Sequence, residues 1–93
     1  MYYLYILKFK NGLYYIGQTN NIARRIKDHL SDYGAKFTKD NGSFDLVYTE
    51  TFNTRVESMK REKQIKKWSR NKKEALINGD LSNLINFSKN HQN

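Results

Sequence analysis

Neither cysteine nor proline occurs anywhere in this 93-residue sequence. The missing cysteine excludes a disulfide scaffold, a Cys-ligated zinc site and thiol catalysis. The missing proline removes collagen-like, polyproline and Pro-rich-linker readings. Long apolar runs are lacking too. The longest, Tyr2 to Leu7, falls far short of the roughly 20 residues a membrane span needs. It follows Met1 with no basic stretch before it, so a signal peptide is not expected. Acid is scarce: 9 Asp+Glu stand against 17 Lys+Arg, a net charge of +8. That excess on so small a chain points to a polyanionic partner, nucleic acid first. With 38% hydrophobic and 14% aromatic residues, the chain can build a core and is not a disordered tail. The expectation is one small domain over residues 1–87, a polar frayed tail over 88–93, and a cytoplasmic address.

Tyr2 to Phe9 is aromatic and β-branched and predicts a strand. Lys10-Asn11-Gly12 is a turn signal, and Leu13 to Gln18 predicts a second strand. Asn20 and Asn21 suit the N-cap of a helix from about Ile22 to Leu30. Residues 32–44 have loop composition, and Leu46 to Phe52 suggests a third strand. Thr54-Arg55-Val56-Glu57 fits a capping box, opening a helix to about Trp68. A shorter helix over Lys72 to Asn78 would end at Gly79, and Asp80 could cap a last one. The order β-β-α-β-α-α predicts an α+β domain, a small sheet covered by helices.

The hairpin register decides where two tyrosines point. A two-residue Asn11-Gly12 turn puts Tyr5 and Tyr15 on opposite faces. A three-residue loop with Gly12 at the bulge position sets Leu7 against Tyr15 and Tyr5 against Gly17, so both tyrosines share one face. Local sequence leaves the two equally open.

On the first predicted helix, Ile22, Ala23, Ile26 and Leu30 form an apolar stripe, with His29 at its edge and Arg25 just beyond. Arg24 and Lys27 lie elsewhere and suit solvated charge. Arg25 and His29 are i, i+4 neighbours, and two such groups share a small volume best with an anion between them. A snorkelling arginine beside a solvated histidine is the equal alternative. On the second helix, Glu62 sits amid Ser58, Met59, Ile65 and Ser69. An acid so placed is paired, metal-bound or catalytic; the simple alternative is an i, i+4 pair with Lys66.

From Lys60 to Lys73 there are eight basic residues and one acid, Glu62. Lys60, Lys63, Lys66, Lys67, Arg70, Lys72 and Lys73, with Trp68 among them, are candidate nucleic-acid contacts, cations for phosphates and one aromatic to stack or wedge.

Tyr3-Leu4-Tyr5, Tyr15-Ile16-Gly17, Arg25 ten residues after Tyr15, His29 four later, and Glu62 together resemble the GIY-YIG nuclease family. Gly34-Ala35-Lys36-Phe37-Thr38, Leu46-Val47-Tyr48 and the stretch from Glu57 to Lys73 look like its small, stand-alone, UPF0213-like branch, related to the excinuclease N-terminal domain. The likeness runs over roughly Met1 to Asn78. The first half-motif lacks its leading glycine, and Glu74 stands where the larger DNA-cleaving members carry an asparagine.

The resemblance implies a three-stranded antiparallel sheet flanked by helices, and it selects the three-residue loop. It implies a metal-dependent endonuclease with DNA as the expected substrate, low sequence specificity and a role such as DNA repair. Glu62 would hold one divalent cation, Mg²⁺ or Mn²⁺. Tyr5, aided by His29, would be the general base. Tyr15 would orient water or phosphate, Arg25 would stabilise the pentacovalent phosphate, and Gly17 would let backbone approach closely. All five side chains would then border one concave site. Two alternatives stand beside this: a non-catalytic basic DNA- or RNA-binding module, and an accessory protein docking to a larger repair or recombination protein.

Overall fold

A computed structural model describes residues 1–30 and 42–79. Most of the expected 32–44 loop, the Gly34–Thr38 motif, the helix expected at Asp80 and the 88–93 tail lie outside the described residues. Three strands, β1 (Tyr2–Phe9), β2 (Tyr14–Thr19) and β3 (Phe44–Phe52), alternate with helices α1 (Ile22–Leu30), α2 (Arg55–Lys66) and α3 (Arg70–Asn78) in the order β1-β2-α1-β3-α2-α3. The sheet is antiparallel, with strand order β2-β1-β3.

The hairpin takes the three-residue loop. Phe9 N–H donates to the Leu13 carbonyl and Gly12 N–H to the Phe9 carbonyl, both at 2.8 Å, and Gly12 has φ +90°. Only glycine enters that region without cost. The register pairs Leu7 with Tyr15 and Tyr5 with Gly17. Along the other edge of β1, Ile6 pairs with Tyr48 but Leu7 with Leu46, so Val47 is bulged.

Alternation on β1 then sorts the core into two layers. Leu4, Ile6 and Ile16 face α2 and α3 and enclose Ile65 and Leu76. Tyr5, Leu7 and Phe9 face the other way, against Tyr15, Ile22, Ile26 and Phe44. Each aliphatic side chain fully buried in these layers contributes about 1.5–3 kcal/mol. Helix α1 therefore covers one face of the sheet, and α2 with α3 the other.

Local signals set the helix ends. Asn21 Oδ1 accepts the Arg24 N–H at 3.0 Å. Thr54 accepts the Glu57 N–H at 3.3 Å and donates to Glu57 Oε1 at 2.8 Å. Ser69 caps α3, and Gly79 at φ +72° closes it. Helix α3 thus begins at Arg70 rather than Lys72, and α2 stops at Lys66 rather than Trp68, because Ser69 is a good N-cap and opens a new helix there. No helix among the described residues is long and apolar enough to cross a membrane.

Candidate active site

Tyr5 is 1% exposed, and its ring runs across β2 at Gly17. A Cβ at Gly17 would lie 2.6 Å from the Tyr5 hydroxyl and 2.7 Å from Cζ. The glycine is there because the phenol occupies the space a side chain would need. Two helical side chains meet that hydroxyl from α1. Arg25 Nε–H donates to it at 3.1 Å, and His29 Nε2 lies 3.2 Å away. A guanidinium can only donate, so the phenol oxygen accepts there and its own proton is available to His29 Nε2. Tyr15 completes the group. Its ring stacks on Tyr5 at 6.2 Å between centroids and takes His29 edge-on at 4.8 Å.

Burial pushes the Tyr5 phenol up to about 12, and Tyr15 adds to that against the opposing pull of Arg25. Burial also pulls His29 below its ordinary range, helped by the Arg25 charge and partly opposed by Asp28. At neutral pH the pair is a protonated phenol beside a neutral imidazole.

The α1 stripe differs from the one expected. Ile22 and Ile26 face the sheet, but Ala23 is exposed, Leu30 is 66% exposed and His29 is only 6% exposed. The sheet-facing side is turned toward the polar pair, because Tyr5 offers His29 a hydrogen bond and Tyr15 and Phe44 offer it aromatic edges. Phe44, 6.0 Å from the imidazole, is a wall that the sequence did not signal.

Glu62 is not in this cluster. It lies on α2, across the sheet, with Oε2 2.7 Å from Lys66 Nζ. The simple i, i+4 pairing is therefore present. Its direction follows from its neighbours. Arg61 turns toward β3, where it grips Glu50 with Nε–Oε1 and Nη2–Oε2 both at 3.0 Å. One residue on is ~100° around the helix, so Glu62 leaves on the flank toward β2. Ser58 lies beside Gln18, 3.4 Å apart. One helical turn further is ~6 Å, or about two strand residues, which sets Glu62 about level with Ile16 and Gly17 at the edge of β2. The expected arrangement of five side chains on one face is thus replaced by four on the α1 face and Glu62 around the β2 edge.

Among the described residues no three His, Cys, Asp or Glu side chains form a metal-holding group. The donor set is one carboxylate with a single exposed lysine on one oxygen. That fits a hydrated hard cation held at one point, not an all-protein cage.

The basic candidates divide. Lys60, Lys63 and Lys67 are exposed and flank an open groove of about 430 Å³ with Gln64 and Trp68. Lys66 and Lys73 lie outside it, Lys66 exposed and Lys73 half-buried. Lys72 is 7% exposed, with Nζ 4.1 Å from the Trp68 centroid, while Arg61 stands 5.0 Å from the same ring. Trp68 is therefore held by cations of its own chain, and Lys72 is turned inward. Arg70 donates to the Gly12 carbonyl at 2.7 Å, lies over Tyr14 and pairs with Glu74 at 3.1 Å, clamping α3 to the hairpin.

Residues 1–75 match the model of the GIY-YIG catalytic domain. The UPF0213 protein BH0048 of Halalkalibacterium halodurans is 46% identical over 76 residues, covering 82% of this chain and 81% of that protein. The UPF0213 protein CPE1444 of Clostridium perfringens is 44% identical over 89 residues, 96% of each chain. The solution NMR structure of BH0048 superposes with a TM-score of 0.55 over 84% of each chain. With a nuclease-type fold and matched residues from the first strand into the last described helix, the chain belongs to the GIY-YIG family.

Proposed function

We propose that the protein hydrolyses phosphodiester bonds in nucleic acid, DNA first, as a metal-dependent endonuclease of low sequence specificity. The observation that carries this reading is the Arg25–Tyr5–His29 hydrogen-bonded set over Gly17. With its phenol near 12, Tyr5 cannot serve as a free phenolate at neutral pH. It accepts a proton from water only by passing its own to His29, whose neutral Nε2 is aimed at it. Arg25 supplies the cation for charge that develops on the phosphate. Tyr15 fixes the imidazole edge and the approach to the site. Glu62 would hold Mg²⁺ or Mn²⁺, water and phosphate oxygens completing the shell, after Lys66 swings away. When bound, the metal supplies Lewis acidity toward the phosphate. The β2 edge at Gly17 is where the two halves would act on one phosphodiester.

The test is nicking of supercoiled plasmid with and without Mn²⁺. Wild type should nick only with metal, and Tyr5→Phe, Arg25→Ala and Glu62→Ala should each lose at least about a hundredfold, the scale of a general acid–base or electrostatic contribution. The Lys60, Lys63 and Lys67 groove favours a second reading, a non-catalytic binding module. That reading predicts DNA binding by all these variants and nicking by none, wild type included.

A further inference from the structure

At the C-terminal end of β2 lies a polar cup of about 270 Å³, lined by Tyr2, Gln18, Thr19, Asn20 and Arg55. Arg55 is the first residue of α2 and is exposed, and its guanidinium makes no hydrogen bond or ion pair among the described residues. Arg24 reaches the same rim from α1, where Nη2–H donates to Asn20 Oδ1 at 3.3 Å. Two arginines, from helices on opposite faces of the sheet, thus bracket one strand end. Among the described residues no acid lines the cup. The amides of Gln18 and Asn20 and the Tyr2 phenol add neutral hydrogen-bonding groups. Thr19 contributes its wall, its hydroxyl being engaged with the Asn21 backbone.

Position matters as much as charge. Gln18 to Asn20 directly follow Gly17, over which the Tyr5 hydroxyl lies. At ~3.3 Å per strand residue the cup is ~3–10 Å along β2 from that hydroxyl. A nucleic-acid strand advances ~3.4 Å per nucleotide along a duplex axis, so that distance corresponds to about one to three nucleotides. The cup stands at the other end of the sheet from Lys8 and Lys10 and is separate from the α2 groove of Lys60, Lys63 and Lys67.

We infer that this cup is a subsite for a backbone phosphate of the nucleic acid, one to three nucleotides from the phosphodiester at Tyr5, with Arg55 and Arg24 as its anion-binding residues. It rests on the nucleic-acid reading above and adds a register to it: the strand runs along the β2 edge. Arginine suits the task because its planar fork meets phosphate oxygens in pairs.

The test is binding of a labelled DNA duplex in EDTA, so that no cleavage intervenes, across a salt series. Arg24→Gln/Arg55→Gln should bind roughly tenfold more weakly, and its slope of log affinity on log salt should be shallower by about 1.8, two contacts at 0.9 each. Lys8→Gln/Lys10→Gln is the control and should keep the wild-type slope. In the wild-type NMR spectrum, the side-chain amides of Gln18 and Asn20 should shift on adding the duplex. A wild-type slope in the arginine pair, an equal drop in the lysine control, or unmoved amide signals would each overturn the subsite. Plasmid nicking by wild type is read separately, so the subsite can fail while the nuclease reading stands.

Discussion

Gly17→Ala isolates the close approach on which the candidate site is built. The added Cβ would sit 2.6 Å from the Tyr5 hydroxyl, 2.7 Å from Cζ and 3.0 Å from Cε1. Ordinary contact begins near 3.4 Å, so the ring must retreat by about 0.8 Å. It has nowhere easy to go. Tyr5 is 1% exposed, and it sits against Tyr15, with its hydroxyl between Arg25 at 3.1 Å and His29 at 3.2 Å. A retreat of that size breaks at least one of these bonds, at about 1 kcal/mol, on top of an overpacking cost of about 1–3 kcal/mol. The total is about 2–4 kcal/mol, and for a domain of this size each kcal/mol moves the melting midpoint by about 4–8 °C. The midpoint followed by circular dichroism should fall on the order of 10–30 °C. Adding Tyr5→Phe should recover little, because Cζ stays at 2.7 Å. Gly79→Ala is the contrast. With φ +72° and nothing within 4 Å, it costs only the left-handed backbone penalty, about 1–2 kcal/mol. A Gly17→Ala midpoint within about 3 °C of wild type would refute the account of why β2 carries glycine here.

Tyr5 and Tyr48 both hold their protons to about 12 in the fold, so the folded state binds protons that the unfolded chain releases; urea midpoints should fall as pH rises from about 10 through 12, and Tyr5→Phe should blunt that loss. His29 is shifted the opposite way, so its contribution is present above about pH 6.5 and drains away as pH falls below it, a slope that His29→Gln should flatten. Lys66→Met should leave stability within about 0.5 kcal/mol and strengthen Mn²⁺ binding about twofold by calorimetry, since the lysine competes for Glu62 Oε2; weaker binding would refute that competition. Replacing Lys60, Lys63 and Lys67 by Gln should cut the salt slope of DNA binding by up to about 2.7, and an unchanged slope would move the contact surface off α2. Glu74→Asn gives up the pair with Arg70 and the hydrogen bond with the Tyr14 side chain, neither of which touches the Tyr5 cluster, so nicking should stay within about twofold; a gain beyond tenfold would show that Glu74 acts on the site.

The fold is legible where one residue type has one physical task. Asn11-Gly12 marks the turn, Thr54 with Glu57 marks a helix start, and Gly79 marks a helix end. Local sequence leaves the hairpin register open because both loop lengths satisfy the same turn residues. What separates them is the Tyr5–Gly17 pairing, whose phenol is then held by Arg25 and His29 once α1 has packed. The α1 stripe escapes periodicity for a related reason. Periodicity ranks Leu30 above His29, but a histidine with a hydrogen-bond partner and aromatic walls can be buried, and those partners come from β1, β2 and β3. Lys72 follows the same logic in reverse: a basic residue in a basic run looks solvated until an indole lies within reach.

The position of Glu62 turns on what lies between it and Tyr5. Helices α1 and α2 cover opposite faces, so their polar groups cannot meet through the sheet, whose centre is filled by Leu4, Ile6 and Ile16 on one side and Leu7 and Phe9 on the other. They can meet only around an edge. Of the two edges, β3 is occupied on the α2 side by Glu50, Arg61 and Tyr48, bound to one another at 2.6–3.2 Å. At the β2 edge the residue opposite Tyr5 is Gly17, whose missing side chain leaves its place to the phenol ring. One glycine therefore serves two ends. It admits the phenol on the α1 face, and in the proposed function it marks the point of the edge at which a single phosphate would be reached from both faces.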